Sequence, residues 1–172
     1  MKRIIAYILL ILAAFMLQNN FFAAIKWIDC TPNLLLIITF MFGLIRGKLD
    51  GMLIGFASGL LTDFFFGARI GYYALIYMAI GYGNGIIGGL FYMESSLPVV
   101  LLGLMSDFIF NIYVFLTGFL LKGASDFGYY LKKIILPEMV YTLLLVLILY
   151  KPVRALSEWL EKTEKKKAKK FV

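Results

Sequence analysis

The chain has 172 residues, of which 62% are hydrophobic, 17% aromatic and only 16% charged, with a formal charge of +7 and a mean hydropathy of +0.90. A soluble domain is about 45–50% apolar and about 25% charged, and a domain of this size cannot enclose so much apolar surface in one core. The composition excludes a soluble enzyme, a disordered chain and a disulfide scaffold, and leaves an all-α polytopic membrane protein.

Six apolar runs are read as helices. The first covers residues 4–25. Its Lys2–Arg3 start has the look of a signal peptide, but no A-x-A site follows and it is read as an uncleaved first helix. The second covers residues 33–45, with Thr31 as N-cap and Pro32 as first helical residue. It is shorter than the ~20 residues that cross ~30 Å of hydrocarbon, yet it is taken as spanning. The third, fourth and fifth cover residues 49–66, 70–93 and 97–121, and the sixth covers residues 134–150 and ends before Pro152. The runs are unbroken, whereas the strands of a membrane barrel alternate. The result is a six-helix transmembrane domain, residues 1–150, and a basic amphipathic cytoplasmic tail, residues 151–172.

With both termini inside, twelve basic residues fall on the inner side and five on the outer. The positive-inside rule therefore predicts an N-in, C-in chain. Histidine is absent and Cys30 is the single cysteine. A histidine base, an intrachain disulfide and a thiolate metal cluster are ruled out. No catalytic, metal-binding or cofactor-binding residues are expected.

Glycines recur every fourth residue. The third run carries Gly47, Gly51, Gly55 and Gly59, and the fourth carries Gly81, Gly85 and Gly89. This spacing puts them on one helical face, where small residues let backbones approach closely. They are read as helix-packing or partner-binding residues: an internal bundle contact, or a groove for a partner's single transmembrane helix. Asp63, Asp107 and Asn111 are intramembrane polar residues, with Gly103 a turn before Asp107 and Ser106 beside it. An intramembrane carboxylate is costly and raises a functional question. Either each is hydrogen-bonded to a neighbouring helix or paired with Arg69, or it binds a proton or cation. The segments GLLTDFFF and GLMSDFIF, 44 residues apart, suggest a parallel internal repeat that aligns Asp63 with Asp107.

In the tail, Val153, Leu156 and Leu160, with Trp159 beside them, fall on one helical face. Lys165, Lys166, Lys167, Lys169 and Lys170 form a polybasic end, read as membrane-surface residues that anionic lipid attracts by ~1 kcal/mol each. So short a tail on a membrane bundle is not read as a nucleic-acid binder.

The stretch GFASGLLTDFFFGARIGYYALIYMAIGY, residues 55–82, resembles the hallmark region of the bacterial rod shape-determining MreD family. The positions that carry the resemblance are Gly59, Leu60, Leu61, Asp63, Gly67, Gly71, Gly81 and Tyr82. The upstream PNLLLIITFMFGLIRG is similar to that family's second span and basic loop. The resemblance implies a non-enzymatic scaffold of the cell-elongation complex in the bacterial inner membrane. It implies the bitopic protein MreC, the elongation-complex synthases and cytoplasmic MreB filaments as partners. It also implies a fold like the substrate-binding subunits of energy-coupling-factor transporters. The alternative reading is a small-molecule (vitamin) binding subunit of such a transporter. An outward cavity floored by polar and lined by aromatic side chains would favour that alternative.

Overall fold

The structure is a computed structural model that describes residues 2–22, 31–67, 70–90, 96–119 and 126–168. Helix α1 (Lys2–Met16) widens into a π-helical turn (Leu17–Phe22), and α2 (Leu34–Arg46) and α3 (Lys48–Phe66) follow. Next come α4 (Tyr72–Leu90) and α5 (Ser96–Val114), the latter ending in a second π turn (Phe115–Phe119). Finally α6 (Phe127–Tyr130), a π segment (Leu131–Ile135) and α7 (Leu136–Ala168) join without a break. Five segments are long and apolar enough to cross a membrane: Arg3–Asn20, Lys48–Phe66, Tyr72–Leu90, Leu97–Gly118 and Phe127–Thr163. Side chains such as Leu9, Phe64, Leu97 and Ile148 stand outward, as lipid-facing residues do. The architecture is a polytopic helical membrane bundle.

Helix α2 is the short one, and it is the centre. Every residue from Leu34 to Leu44 is buried, because α1, α3, α4, α5 and α7 all touch it. Its 13 residues span only ~20 Å at ~1.5 Å per residue. By length alone it does not cross the hydrocarbon. Buried helix ends need partners for their backbone groups, and the protein supplies them. Asn33 Oδ1 accepts the Leu36 N–H at 3.1 Å, and the α4 phenol Tyr77 donates to the same oxygen at 2.8 Å. Gln18 Oε1, from the π turn after α1, accepts the Leu35 N–H at 3.3 Å. The N-cap is therefore Asn33, not Thr31, since it is the Asn33 side chain that closes back on the first turn of its own helix.

Backbones of α2, α3 and α4 meet at glycine. A Cβ on Gly43 would lie 2.5 Å from the Gly81 carbonyl oxygen, and one on Gly51 would strike the same oxygen. Gly55 faces the Tyr77 carbonyl, Gly59 the Ala74 backbone, Gly81 the Gly51 carbonyl and Gly85 the Lys48 backbone. The expected stripe departs from this at two places. Gly47 is the hinge between α2 and α3, with φ +97°, and not part of the contact face. Gly89 has open space around it, whereas its neighbour Gly88 lies on Leu44; one helical step of 100° separates the two.

The sixth helix does not end before Pro152. Pro152 lies inside α7, and Val153, Ser157 and Leu160 beyond it are buried. A proline in a helix interior costs ~3 kcal/mol, and packing of this stripe against the bundle offsets it. Leu156 is half-buried on the same face, while Trp159 points away. At 33 residues, α7 is ~50 Å long and projects past the ~30 Å hydrocarbon layer.

Gly55→Ala should lower stability by ~1–3 kcal/mol, the usual cost of overpacking, because its Cβ would lie 2.7 Å from the Tyr77 carbonyl carbon. Gly89→Ala should leave the protein as stable or slightly more so, as helix propensity predicts. Thermal unfolding in detergent compares the two, and equal losses would contradict the glycine contact.

Candidate functional site

Asp63 is 2% exposed near the end of α3. Its Oδ2 accepts the N–H groups of Gly71 at 2.9 Å and Ala74 at 3.0 Å, and its Oδ1 accepts that of Tyr73 at 2.8 Å. Two of these belong to the first turn of α4, whose donors have no partner inside the helix. A carboxylate there also opposes the positive end of the helix dipole. Gly71 has φ +100°, a conformation that glycine adopts without steric cost. A Cβ on Gly67 would lie 2.7 Å from the Asp63 carbonyl oxygen. The series Gly59, Asp63, Gly67, Gly71 thus builds one device: the end of α3 and the start of α4 joined by a carboxylate cap. Arg69 lies outside the described residues.

Asp50 forms a second junction, at the opposite end of α3. It is 5% exposed and makes an ion pair with Arg3 of α1. Arg46 Nε lies 2.8 Å from its Oδ2, and Tyr7 donates to that oxygen at 3.0 Å. Arg46 also donates from Nη1 to the Ser157 carbonyl of α7 at 3.1 Å. One carboxylate thereby gathers α1, α2 and α3, and Arg46 extends the junction to α7. Both ends of the described chain therefore lie at the same end of the bundle. In the sequence Asp50 carries no distinguishing signal, because it sits at a helix start beside charged residues, like any solvated loop acid.

Asp107 and Asn111 face inward from α5, at 0% and 2% exposure, with Glu138 and Thr142 of α7 at 7% and 1%. Asn111 donates to the Asp107 backbone carbonyl at 3.1 Å. Glu138 is within electrostatic reach of Asp107, and Thr142 is beside it. Glu138 is not among the residues expected from the sequence, although an acid just after Pro137 in an apolar run is a signal of the same kind as Asp107. Asp63 and Asp107 align in the suggested repeat but do different things: one caps a neighbouring helix, the other sits mid-helix. Ser106 turns toward α4, where Asn84 donates to its Oγ at 2.8 Å. Among the described residues no cluster of three or more His, Cys, Asp or Glu is placed to hold a metal ion.

Two concavities flank these clusters. A cavity of about 620 Å³ opens at the Asp50 end, lined by Arg46, Gly88, Tyr150, Arg154, Ser157 and Glu158 among others. An apolar groove of about 220 Å³ runs between α4 and α5, past Ile76, Ala79, Gly83, Ile87, Met105 and Ile109. A Cβ on Gly83 would meet nothing within 4 Å. At the Asp63 end the aromatic residues stack on one another: Tyr72 on Tyr113 at 5.1 Å, Tyr77 on Phe110 at 5.4 Å and Tyr73 on Phe110 at 6.1 Å. The side chains of Lys165, Lys166 and Lys167, and all of Lys169 and Lys170, lie outside the described residues.

Asp63→Asn keeps one acceptor oxygen, whereas Asp63→Leu keeps none. The first should cost ~1–2 kcal/mol, as the loss of a helix cap does. The second should cost more, because each buried amide left unsatisfied adds ~1–3 kcal/mol. Denaturant unfolding of the two variants should rank them in that order.

The model of the family described as rod shape-determining protein MreD matches residues 1–159. No curated protein and no solved structure matches the chain. The family match takes in the glycine contact, the Asp63 cap, the Asp50 junction and the buried stripe of α7 as far as Ser157. This chain belongs to the MreD family of rod shape-determining proteins.

Proposed function

We propose that this protein is a non-enzymatic inner-membrane scaffold of the cell-elongation complex, coupling an MreC-like bitopic partner and cytoplasmic MreB filaments to the peptidoglycan synthases. The family match over residues 1–159 carries this reading. The chemistry is consistent with it. Asp50 and Asp63 close on helix ends and arginines, so these carboxylates join helices and are not presented to a substrate. The aromatic residues at the Asp63 end contact one another, which favours the scaffold over a vitamin-binding subunit.

The α4–α5 groove is the docking slot for the partner's single helix. Its floor at Ala79 and Gly83 is small, its walls are apolar, and its one polar pair, Asn84 and Ser106, is mutually satisfied. A helix entering it gains close backbone packing, which drives association in lipid. Both termini are cytoplasmic in this reading, so the Asp50 junction and the projecting half of α7 face MreB. Gly83→Leu fills the slot and should reduce co-purification of the bitopic partner in mild detergent at least several-fold, with thermal stability kept. Gly118→Leu, away from the slot, should leave it unchanged. Undiminished co-purification with Gly83→Leu would reject this docking face.

The lysine-rich end holds the projecting helix at anionic lipid, each lysine near the surface contributing ~1 kcal/mol. Deleting residues 163–172 removes five of them and should leave the bundle folded. The projecting helix of the full chain, followed by a fluorophore at Trp159, should then lose its sensitivity to anionic lipid in nanodiscs. That difference should shrink at high salt. Identical signals in neutral and anionic nanodiscs for the intact chain would remove lipid from the list of partners.

A further inference from the structure

Asp107 is fully buried, and neither of its carboxylate oxygens has a hydrogen-bond partner. Thr142 Oγ1, across the α5–α7 interface, is equally buried and equally without one. The buried acids Asp63 and Asp50 do have partners: Asp63 accepts three amides, and Asp50 takes Arg46 and Tyr7 on Oδ2 and the Arg3 ion pair on Oδ1. Asp107 differs from both in having neither oxygen hydrogen-bonded or ion-paired.

Four polar residues meet there as two helical pairs, Asp107 with Asn111 on α5 and Glu138 with Thr142 on α7, each four residues apart. Glu138 is close enough to sense the Asp107 charge and to reach Asn111. The ionisable groups facing this site are the two carboxyls and the Tyr77 phenol of α4, which senses Glu138 but is hydrogen-bonded to Asn33. No cation from α2, α4 or the described part of α5 faces it. The nearest lysines along the chain, Lys132 and Lys133, are exposed, and Lys133 lies over the Tyr129 ring.

Two ionised carboxylates in so apolar a place would carry an uncompensated charge that neither solvation nor pairing offsets. A proton on one of them changes the account. It removes one charge and turns an acceptor into a donor, so that one carboxyl donates to the other and the Thr142 hydroxyl and Asn111 amide satisfy the remaining oxygens. The aspartic dyad of proteases follows the same logic. We propose that the α5–α7 interface is a binding site for a single proton, held between the carboxyl groups of Asp107 and Glu138. The chain takes the proton from water as it folds, and the occupied pair ties α7 to α5.

Infrared spectroscopy of the full chain in lipid nanodiscs at pH 7 tests this. The wild type should show the absorption of one protonated carboxyl, shifted on transfer to deuterium oxide. The double variant Asp107→Asn with Glu138→Gln is isosteric and neutral. It should lose that absorption completely while keeping its helical content. Asp63→Asn, at the capped acid, should retain it. Because the wild type is read first, the test does not depend on the double variant folding. A folded wild type with no protonated carboxyl at pH 7 would overturn the proposal. So would an absorption that survives in the double variant. An absorption abolished by sodium chloride but not by choline chloride would also overturn it, and would make the site one for a metal cation.

Discussion

Three helices in this protein touch backbone to backbone, and the remaining packing is arranged around that contact. Gly43 of α2, Gly51 of α3 and Gly81 of α4 approach so closely that a Cβ at any of them would meet a neighbouring main chain. In lipid there is little hydrophobic reward for burying one apolar helix against another, so close dispersion contact must supply it. The glycines permit that closeness. They also fix the register of α3 against α4, which brings the Asp63 carboxylate to the first-turn amides of α4. Bulk at Gly55 or Gly59 would separate the helices and pull the cap from its donors. The contact and the cap are thus one mechanical unit, and the turn glycines Gly67 and Gly71 complete it.

Polar groups do the joining elsewhere. A membrane interior leaves every buried donor and acceptor to find a partner in the protein. Short α2 makes this severe, because its N-terminal amides are buried by other helices instead of meeting water. Asn33, Gln18 and Tyr77 answer from three elements. At the opposite end Asp50 holds two arginines and a tyrosine. Removing one partner from such a buried ion pair typically costs ~3–5 kcal/mol, since a charge is then stranded. The bundle is therefore fastened at both ends by hydrogen bonds and in the middle by glycine. The unsatisfied Asp107 lies between the two.

This construction is consistent with the scaffold role proposed for the protein. The helices with the most intimate contacts, α2, α3 and α4, form one closely packed side of the bundle. The α4–α5 side keeps an apolar groove, and the basic end carries a helix that extends well past the hydrocarbon. In the proposed scaffold, a partner spanning the membrane and a partner at its surface would meet different faces of the bundle.

The sequence by itself determined the membrane class, the all-helical bundle, the MreD resemblance and most of the contact glycines. Composition and four-residue spacing are local properties, and a membrane leaves few alternatives to a helix. It also marked Asp63 and Asp107 as out of place in apolar runs. Only the tertiary structure decided what each acid does, because a cap and an unpartnered carboxyl differ in what lies across an interface, not in their neighbours along the chain. The same holds for Gly88 replacing Gly89, where one residue turns the face by 100°. It holds for Gly43, one step earlier in the same spacing but on another helix, and for Glu138, whose meaning depends on α5. The helix end expected before Pro152 failed for a related reason. Proline disfavours a helix interior locally, but burial of Val153, Ser157 and Leu160 against the bundle is a long-range term, and it prevailed.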